Sequence, residues 1–544
     1  MSHFNISSAF RASLPRWRRP AFVGVLSLAL FAPATTAQQI QPASEAGGFQ
    51  RFTTHPEMMD YIHALRATSL DMRLGTYGET REGRELPYVI YSRPLISEPW
   101  EAALLGRPVV LLAANVHGGE RTFREGLLVL MRDLATRGTE ANALLDHIVV
   151  LVAPQINPDG FHLGNNGQRG NAWGIDLNRD YVKLEHPEIA GYIGNLVNRW
   201  QPHAFVDGHN GGATPYNLNY QCPSNAAPDQ RITEMCDFGI FPFIDRALAA
   251  EGMKSWYYAG GTETRWNTGG AEARIGRNYG GLVNSIGILF EAPGGQNLAT
   301  GARAGYLGYK AVLDFVQQNS TQVLDLIQTA RMETIAWGLA AEGQIPVTMR
   351  YGPEDRTVQY ELVRNGQIVQ VTSDSLIKKP IPIQMRDRPY AYILPREAEA
   401  AVAMLRRHNI VVEQLLAPTT LTVQTYTIGD IGYTTQYDHA AAVEVTVASV
   451  SDRSMNFPKD TYVVPTGQVL GRLVAHMLEV ETDDNVVYWN TMDALLPRPA
   501  VRASVGQGGD GESEAFEEQQ QQTPPIVPIY KLMTPTPLPT RIVP

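Results

Sequence analysis

A chain of 544 residues is too long for one ordinary core and implies two domains with accessory segments. Hydrophobic content of 44% with 18% charged residues describes a folded globular protein. A formal charge of −10 excludes a typical nucleic-acid binder, whose surface is basic.

Residues 1–37 are expected to be a secretory signal peptide. Arg11, Arg16, Arg18 and Arg19 precede the apolar run "AFVGVLSLALFAP", and "ATTA" offers small residues for cleavage after Ala37. The run falls short of the roughly 20 residues that a membrane span needs, so no span is expected after cleavage. Arg18-Arg19 keeps a twin-arginine route open beside the general one, and either predicts a periplasmic or secreted protein. In that setting the two cysteines, Cys222 and Cys236, either bond or remain as buried thiols. A bond across so short a loop would stabilise by roughly 3 kcal/mol.

Residues 45–335 read as an α/β catalytic domain. "TTHPEMMDYIHALRAT" has helical spacing and a capped start. "MRLGTYGETREGRELPYVIYSRP" reads as two strands about a turn. The apolar runs "PVVLLAAN", "HIVVLVAPQ", "HAFVDGH" and "SIGILFEA" follow, separated by helices that include Phe123 to Leu134 and Gly305 to Gln317. Continuous β-branched runs suit a mostly parallel mixed sheet with helices on both faces, which gathers ligands at its strands' carboxyl ends.

Three of these runs lead into chemistry. The first ends on His117 and Glu120, the next on His209 and the last on Glu291. Two histidines and a glutamate make a catalytic zinc set with a fourth position open to water. Gly118 and Gly119 leave room for the turn that aims His117 and Glu120 at one ion. His203 begins the strand that His209 ends, which at about 3.3 Å per residue puts it roughly 20 Å away. Glu125 lies within the following helix and is expected to face solvent or an arginine.

"HGGE", "NPDG", "DLNRD", "DGH" and "FEA", in that order over roughly residues 50–320, resemble the zinc metallocarboxypeptidase family, carboxypeptidases A and B and their bacterial relatives. Carboxypeptidase A is itself a standard example of a His₂Glu zinc site. The resemblance implies one zinc per chain on His117, Glu120 and His209, with Asp176 orienting His117 through a hydrogen bond. It implies that Asn178 and Arg179 grip a substrate's free C-terminal carboxylate, that Arg169 stabilises the developing oxyanion, and that Glu291 is the general base. The expected partner is a peptide with a free carboxyl end; oligomeric state is not legible. The family also closes a tyrosine over its substrate, and Tyr257, Tyr258 and Tyr279 are candidates without the expected spacing. Arg265, Arg274 and Arg277 lie where a specificity pocket would be built, which suggests acidic side chains. A zinc deacylase or amidase of aspartoacylase type, a cell-wall peptide hydrolase, and an inactive binding protein on the same scaffold remain as other readings.

Residues 340–502 alternate apolar and polar positions, with a hairpin turn at Asn365-Gly366 and one helix in "PREAEAAVAMLRRHN". They read as a mostly β accessory domain of sandwich type. Residues 503–525 are Gly-, Glu- and Gln-rich and are expected to be disordered. In 526–544, "IVPIYKLM" is expected to return as a strand, with a Pro-rich tail outside regular structure.

Overall fold

The computed structural model describes residues 39–262, 265–354, 357–373, 375–436, 438–497 and 524–543. The expected signal peptide and nearly all of the 503–525 segment lie outside these residues.

Alternate burial explains the central sheet. Strand β1 spans Met72–Glu79, β2 Glu85–Tyr91, β3 Val109–Ala114, β4 Val149–Ala153 and β5 Ala204–Gly212. Then come β6 (Leu218–Gln221), β7 (Ser255–Tyr257), β8 (Ala259–Thr262), β9 (Arg265–Thr268) and β10 (Ile286–Pro293). Every position of β3 and β4 is buried. Val109, Leu111 and Ala113 pack into one apolar cluster, Val110, Leu112 and Ala114 into another, so both faces are covered. Each fully buried Val or Leu contributes about 1.5–3 kcal/mol.

The eight-stranded order is β1-β2-β4-β3-β5-β10-β6-β7. The central strands β4, β3, β5 and β10 run parallel, while β2 and β6 flank them antiparallel. The helices expected from sequence appear at His55–Thr68, Thr122–Ala135 and Leu298–Gln318. The first is capped by Thr54 and Glu57. Cys222 and Cys236 are disulfide-bonded.

From Ile40 onward the described chain is one compact unit. The strands Gln344–Pro353 and Leu376–Asp387 extend a sheet begun by β8 and β9. A seven-stranded antiparallel sheet follows, and its longest strands are Thr419–Gln436 and His439–Phe457. One face of it, through Tyr392, Leu394 and Val464, joins the cluster that contains Leu111 and Phe205. Helices Glu399–Arg407 and Gly471–Leu478 pack into that same cluster. Helices and the catalytic half thus lie where a sandwich would set a second sheet.

Asn365 and Gly366 both take positive φ between paired strands, as their hairpin requires. "IVPIYKLM" returns as the strand Tyr530–Leu532. The tail departs from expectation: Thr540–Ile542 pairs with Glu413–Leu415. Pro535, Pro537 and Pro539 precede the paired residues, and an edge needs few donors. No helix among the described residues is long and apolar enough to cross a membrane.

Candidate metal centre

The turn after β3 is built to hold two ligands three residues apart. Asn115 adopts φ 62°, and its side-chain amide donates to the carbonyls of His117, Gly118 and Glu120 at 2.7, 3.2 and 3.0 Å. Gly118 lies against the backbone of Gly160 so closely that a Cβ would sit 2.1 Å from the Gly160 carbonyl carbon. Only glycine fits there. Gly160 belongs to "NPDG", whose Asn157 amide donates to Val116 O and Gly170 O, both at 3.1 Å. That motif therefore braces the ligand turn and the segment bearing Arg169.

Strands β3, β5 and β10 are neighbours, which brings the ends of the three runs together. His209 and Glu291 are direct register partners across β5 and β10. Ligand atoms of His117, Glu120 and His209 all lie within 4.8 Å of one another. Glu120 Oε2 is 2.9 Å from His117 Nδ1 and 3.0 Å from His209 Nδ1, and the two Nδ1 atoms are 3.1 Å apart.

The outer nitrogens explain why that cluster wants a cation. His117 Nε2 is 3.0 Å from Asp176 Oδ1, and His209 Nε2 is 2.9 Å from Asp207 Oδ2. Each carboxylate calls for a ring proton on its side, which leaves both Nδ1 lone pairs facing the Glu120 carboxylate. The Glu120 carboxylate thus faces both rings, with Arg169 Nη1 3.3 Å from His117 Nδ1 and Asn210 N–H donating to Glu120 Oε2 at 3.0 Å. Burial disfavours a charged His209, yet Asp207 and Glu120 push its pKa well above the usual imidazole value. The cradle demands positive charge, and its two nitrogens and one oxygen fit zinc.

Glu291 is 7% exposed, and its Oε2 finds no hydrogen-bond partner among the described residues. Burial pushes its pKa up to about 8, Glu120 adds to the rise, and His209 and Arg277 oppose it. Asp176 moves the other way: burial opposes ionisation, but His117, Arg169 and Arg179 hold it well below the usual carboxylate range. Arg169 donates to Asp176 Oδ2 at 2.9 Å and to Glu120 Oε1 at 3.2 Å, with half its side chain exposed. Asn178 donates its backbone N–H to Asp176 Oδ1 at 3.0 Å, and its side-chain oxygen accepts from Gly276 N–H at 3.0 Å. The Asn178 side-chain amide stays undirected among the described residues. Arg179 donates to Asn178 O at 2.8 Å.

Sequence reading missed several groups. Asp207 lies two positions before His209, so strand alternation alone puts both on one face. Tyr258 emerges from the three candidate tyrosines. A Cβ built on Gly211 would meet Glu291 Oε2 at 2.8 Å and the Tyr258 hydroxyl at 3.3 Å, which sets that hydroxyl beside the base. Tyr279 is fully buried with its hydroxyl between Asn198 and His408, and Tyr257 packs against Tyr220 and Phe241. Of the arginines, Arg274 lies 3.0 Å from Asp484 and is spent there. Arg277 is buried, donates to Gly270 O at 2.7 Å, and has no carboxylate within ion-pair distance among the described residues. The Arg265 side chain lies outside what is described. His203 accepts from Val109 N–H at the far end of the sheet, as expected. Glu125 does meet an arginine, Arg124 at 2.6 Å, but is buried rather than solvent-facing because Thr53 also donates to it.

An α/β sheet with a His-Glu-His cradle at its carboxyl edge is the arrangement of a metalloenzyme site. Residues 58–240 match the sequence model of the zinc carboxypeptidases, peptidase family M14. The chain is 24% identical over 492 residues to Carboxypeptidase 2 of Trichophyton rubrum, covering 86% of this chain and 89% of that one. It is likewise 24% identical over 493 residues to Carboxypeptidase 2 of Trichophyton tonsurans, again covering 86% and 89%. A solved metallo-carboxypeptidase from Burkholderia cenocepacia is 20% identical, with 49% of this chain and 70% of that chain covered and a TM-score of 0.39. The likeness to the zinc carboxypeptidases thus rests on residues 58–240, the stretch that holds His117, Glu120, Asp176 and His209.

Proposed function

We propose that this is an exported carboxypeptidase that hydrolyses the C-terminal bond of peptides with one zinc ion on His117, Glu120 and His209. The observation that supports this best is the convergence of His117, Glu120 and His209, with Asp176 and Asp207 close behind the two imidazoles. Zinc bound there supplies the Lewis acidity that acidifies water and polarises a carbonyl. Glu291 takes the proton of the attacking water and delivers it to the leaving amine. Its burial alone favours the neutral acid, and a nearby dication favours the ionised base. Arg169, half-exposed beside the cradle, is suited to the charge that develops on the carbonyl oxygen.

Asn178 and Arg179 hold the substrate's carboxylate, with the Asn178 amide facing outward because Gly276 occupies its oxygen. The charge of Arg277, buried with no carboxylate within ion-pair distance among the described residues, supports a preference for acidic C-terminal residues. Export is supported by the Cys222–Cys236 bond, since disulfides persist in oxidising compartments.

The test compares a peptide with its C-terminal amide. A charge-assisted hydrogen bond is worth on the order of 1.5–3 kcal/mol. At about tenfold per 1.4 kcal/mol, the amide is cleaved roughly tenfold to a hundredfold more slowly. Arg179→Ala erases most of that preference by slowing the free acid. Equal cleavage of acid and amide by the parent removes the carboxypeptidase reading and leaves a metal hydrolase of other specificity.

A further inference from the structure

The C-terminal half reaches the substrate clamp through a hairpin tip. Strands Thr419–Gln436 and His439–Phe457 form a hairpin whose last ladder pair is Gln436 with His439. At its tip, Asp438 Oδ2 accepts the backbone N–H of Asp176 at 2.9 Å. Asp176 caps the single turn Leu177–Arg179, and its own carbonyl accepts the N–H of Arg179 at 3.0 Å. The peptide that begins the clamp is thus fixed by a carboxylate 262 positions further along the chain.

The tip is itself braced. His439 lies edge-on to Trp489 with centroids 4.9 Å apart, the Asn490 amide donates to Ala441 O at 3.0 Å, and Val443 N–H donates to Tyr488 O at 3.0 Å. The same stretch holds the clamp's other wall. Asp483 Oδ2 accepts Ala273 N–H at 3.1 Å and Asp484 Oδ2 accepts Arg274 N–H at 2.8 Å. Two residues later, Gly276 supplies the N–H that orients Asn178.

We infer that Asp438 is a positioning residue for the carboxylate clamp, acting through the Asp176 peptide; this rests on Asn178 and Arg179 being that clamp. A one-turn element has little internal bonding to fix its tilt, so an anchor at its first N–H decides where Arg179 points. The side chain of Asp176 is already committed to His117, Arg169 and Asn178, so Asp438 governs the turn without supplying a ligand.

The experiment uses the full zinc-loaded chain with Asp438→Ala and Asp438→Asn, assayed on a free-acid peptide and its amide. Asp438→Ala is expected to raise KM for the free acid about tenfold and to shrink the acid-over-amide ratio in step, with kcat and metal content near parent values. Asp438→Asn keeps an oxygen that accepts the N–H, so it restores KM. If Asp438→Ala does not fold, Asp438→Glu moves the acceptor by one methylene and shifts KM in the same direction. An unchanged KM, a loss confined to kcat or metal content, or an Asp438→Asn as impaired as Asp438→Ala overturns the inference. A parent that cleaves acid and amide equally fails earlier, at the clamp itself, and is told apart because the defect needs no variant.

Discussion

Glu291→Gln lowers turnover by about a hundredfold to ten-thousandfold, the range that positioned proton transfer supplies. The substitution keeps the size and the strand position opposite His209 but cannot accept a proton from water. Metal content and peptide affinity stay at parent levels, since Glu291 is not among the three converging donors. The loss therefore appears in kcat, as expected for an interaction used only in the transition state. Burial of this carboxylate, with Oε2 unpartnered among the described residues, makes the amide well tolerated by the fold. Rates within about tenfold of the parent would assign proton transfer to another group.

His209→Ala abolishes both metal binding and activity. The remaining pair, His117 and Glu120, come from one turn and cannot close a tetrahedral site by themselves. Asp207, buried at 2% exposure, keeps the Tyr181 hydroxyl at 3.2 Å when the ring is lost, so the fold retains a partner for that carboxylate. The readout independent of catalysis is thermal stability. Zinc at a hundredfold excess over its dissociation constant stabilises the parent by about 2.7 kcal/mol. The variant shows no such gain. A folded His209→Ala with full metal occupancy contradicts the ligand set.

The central strands and the cradle were legible because both rest on local pattern. "PVVLLAAN" and "SIGILFEA" are apolar throughout, which in a sheet covered on both faces is what burial demands. His117, Glu120, His209 and Glu291 then fall at the ends of adjacent strands, and the structure brings them together as the motifs imply. Asp207 was equally accessible through strand alternation and was passed over. Tyr258 was one of three candidates that spacing could not separate. Its place beside Glu291 depends on where the backbone after β7 turns.

The contacts hidden from sequence are long-range. Nothing near Asp438 signals that it meets Asp176, and nothing in 483–484 points to residues 273–274. Residues 340–502 read as an accessory because their alternation concerns their own sheet. Their inner face, through Tyr392 and Leu394, in fact shares a core with Leu111 and Phe205 of the catalytic sheet. The strand Thr540–Ile542 escaped because three residues after a run of prolines carry no periodicity, and its partner lies over a hundred positions away.

The most direct test is product analysis on a defined peptide. Purified protein is incubated with a peptide bearing a blocked amino end and a free carboxyl end, and the products are weighed over time. The account predicts a ladder that shortens by single residues from the carboxyl end, stops on chelation, and resumes when zinc is restored. Internal cleavage, shortening from the amino end, or a ladder indifferent to chelator would contradict it.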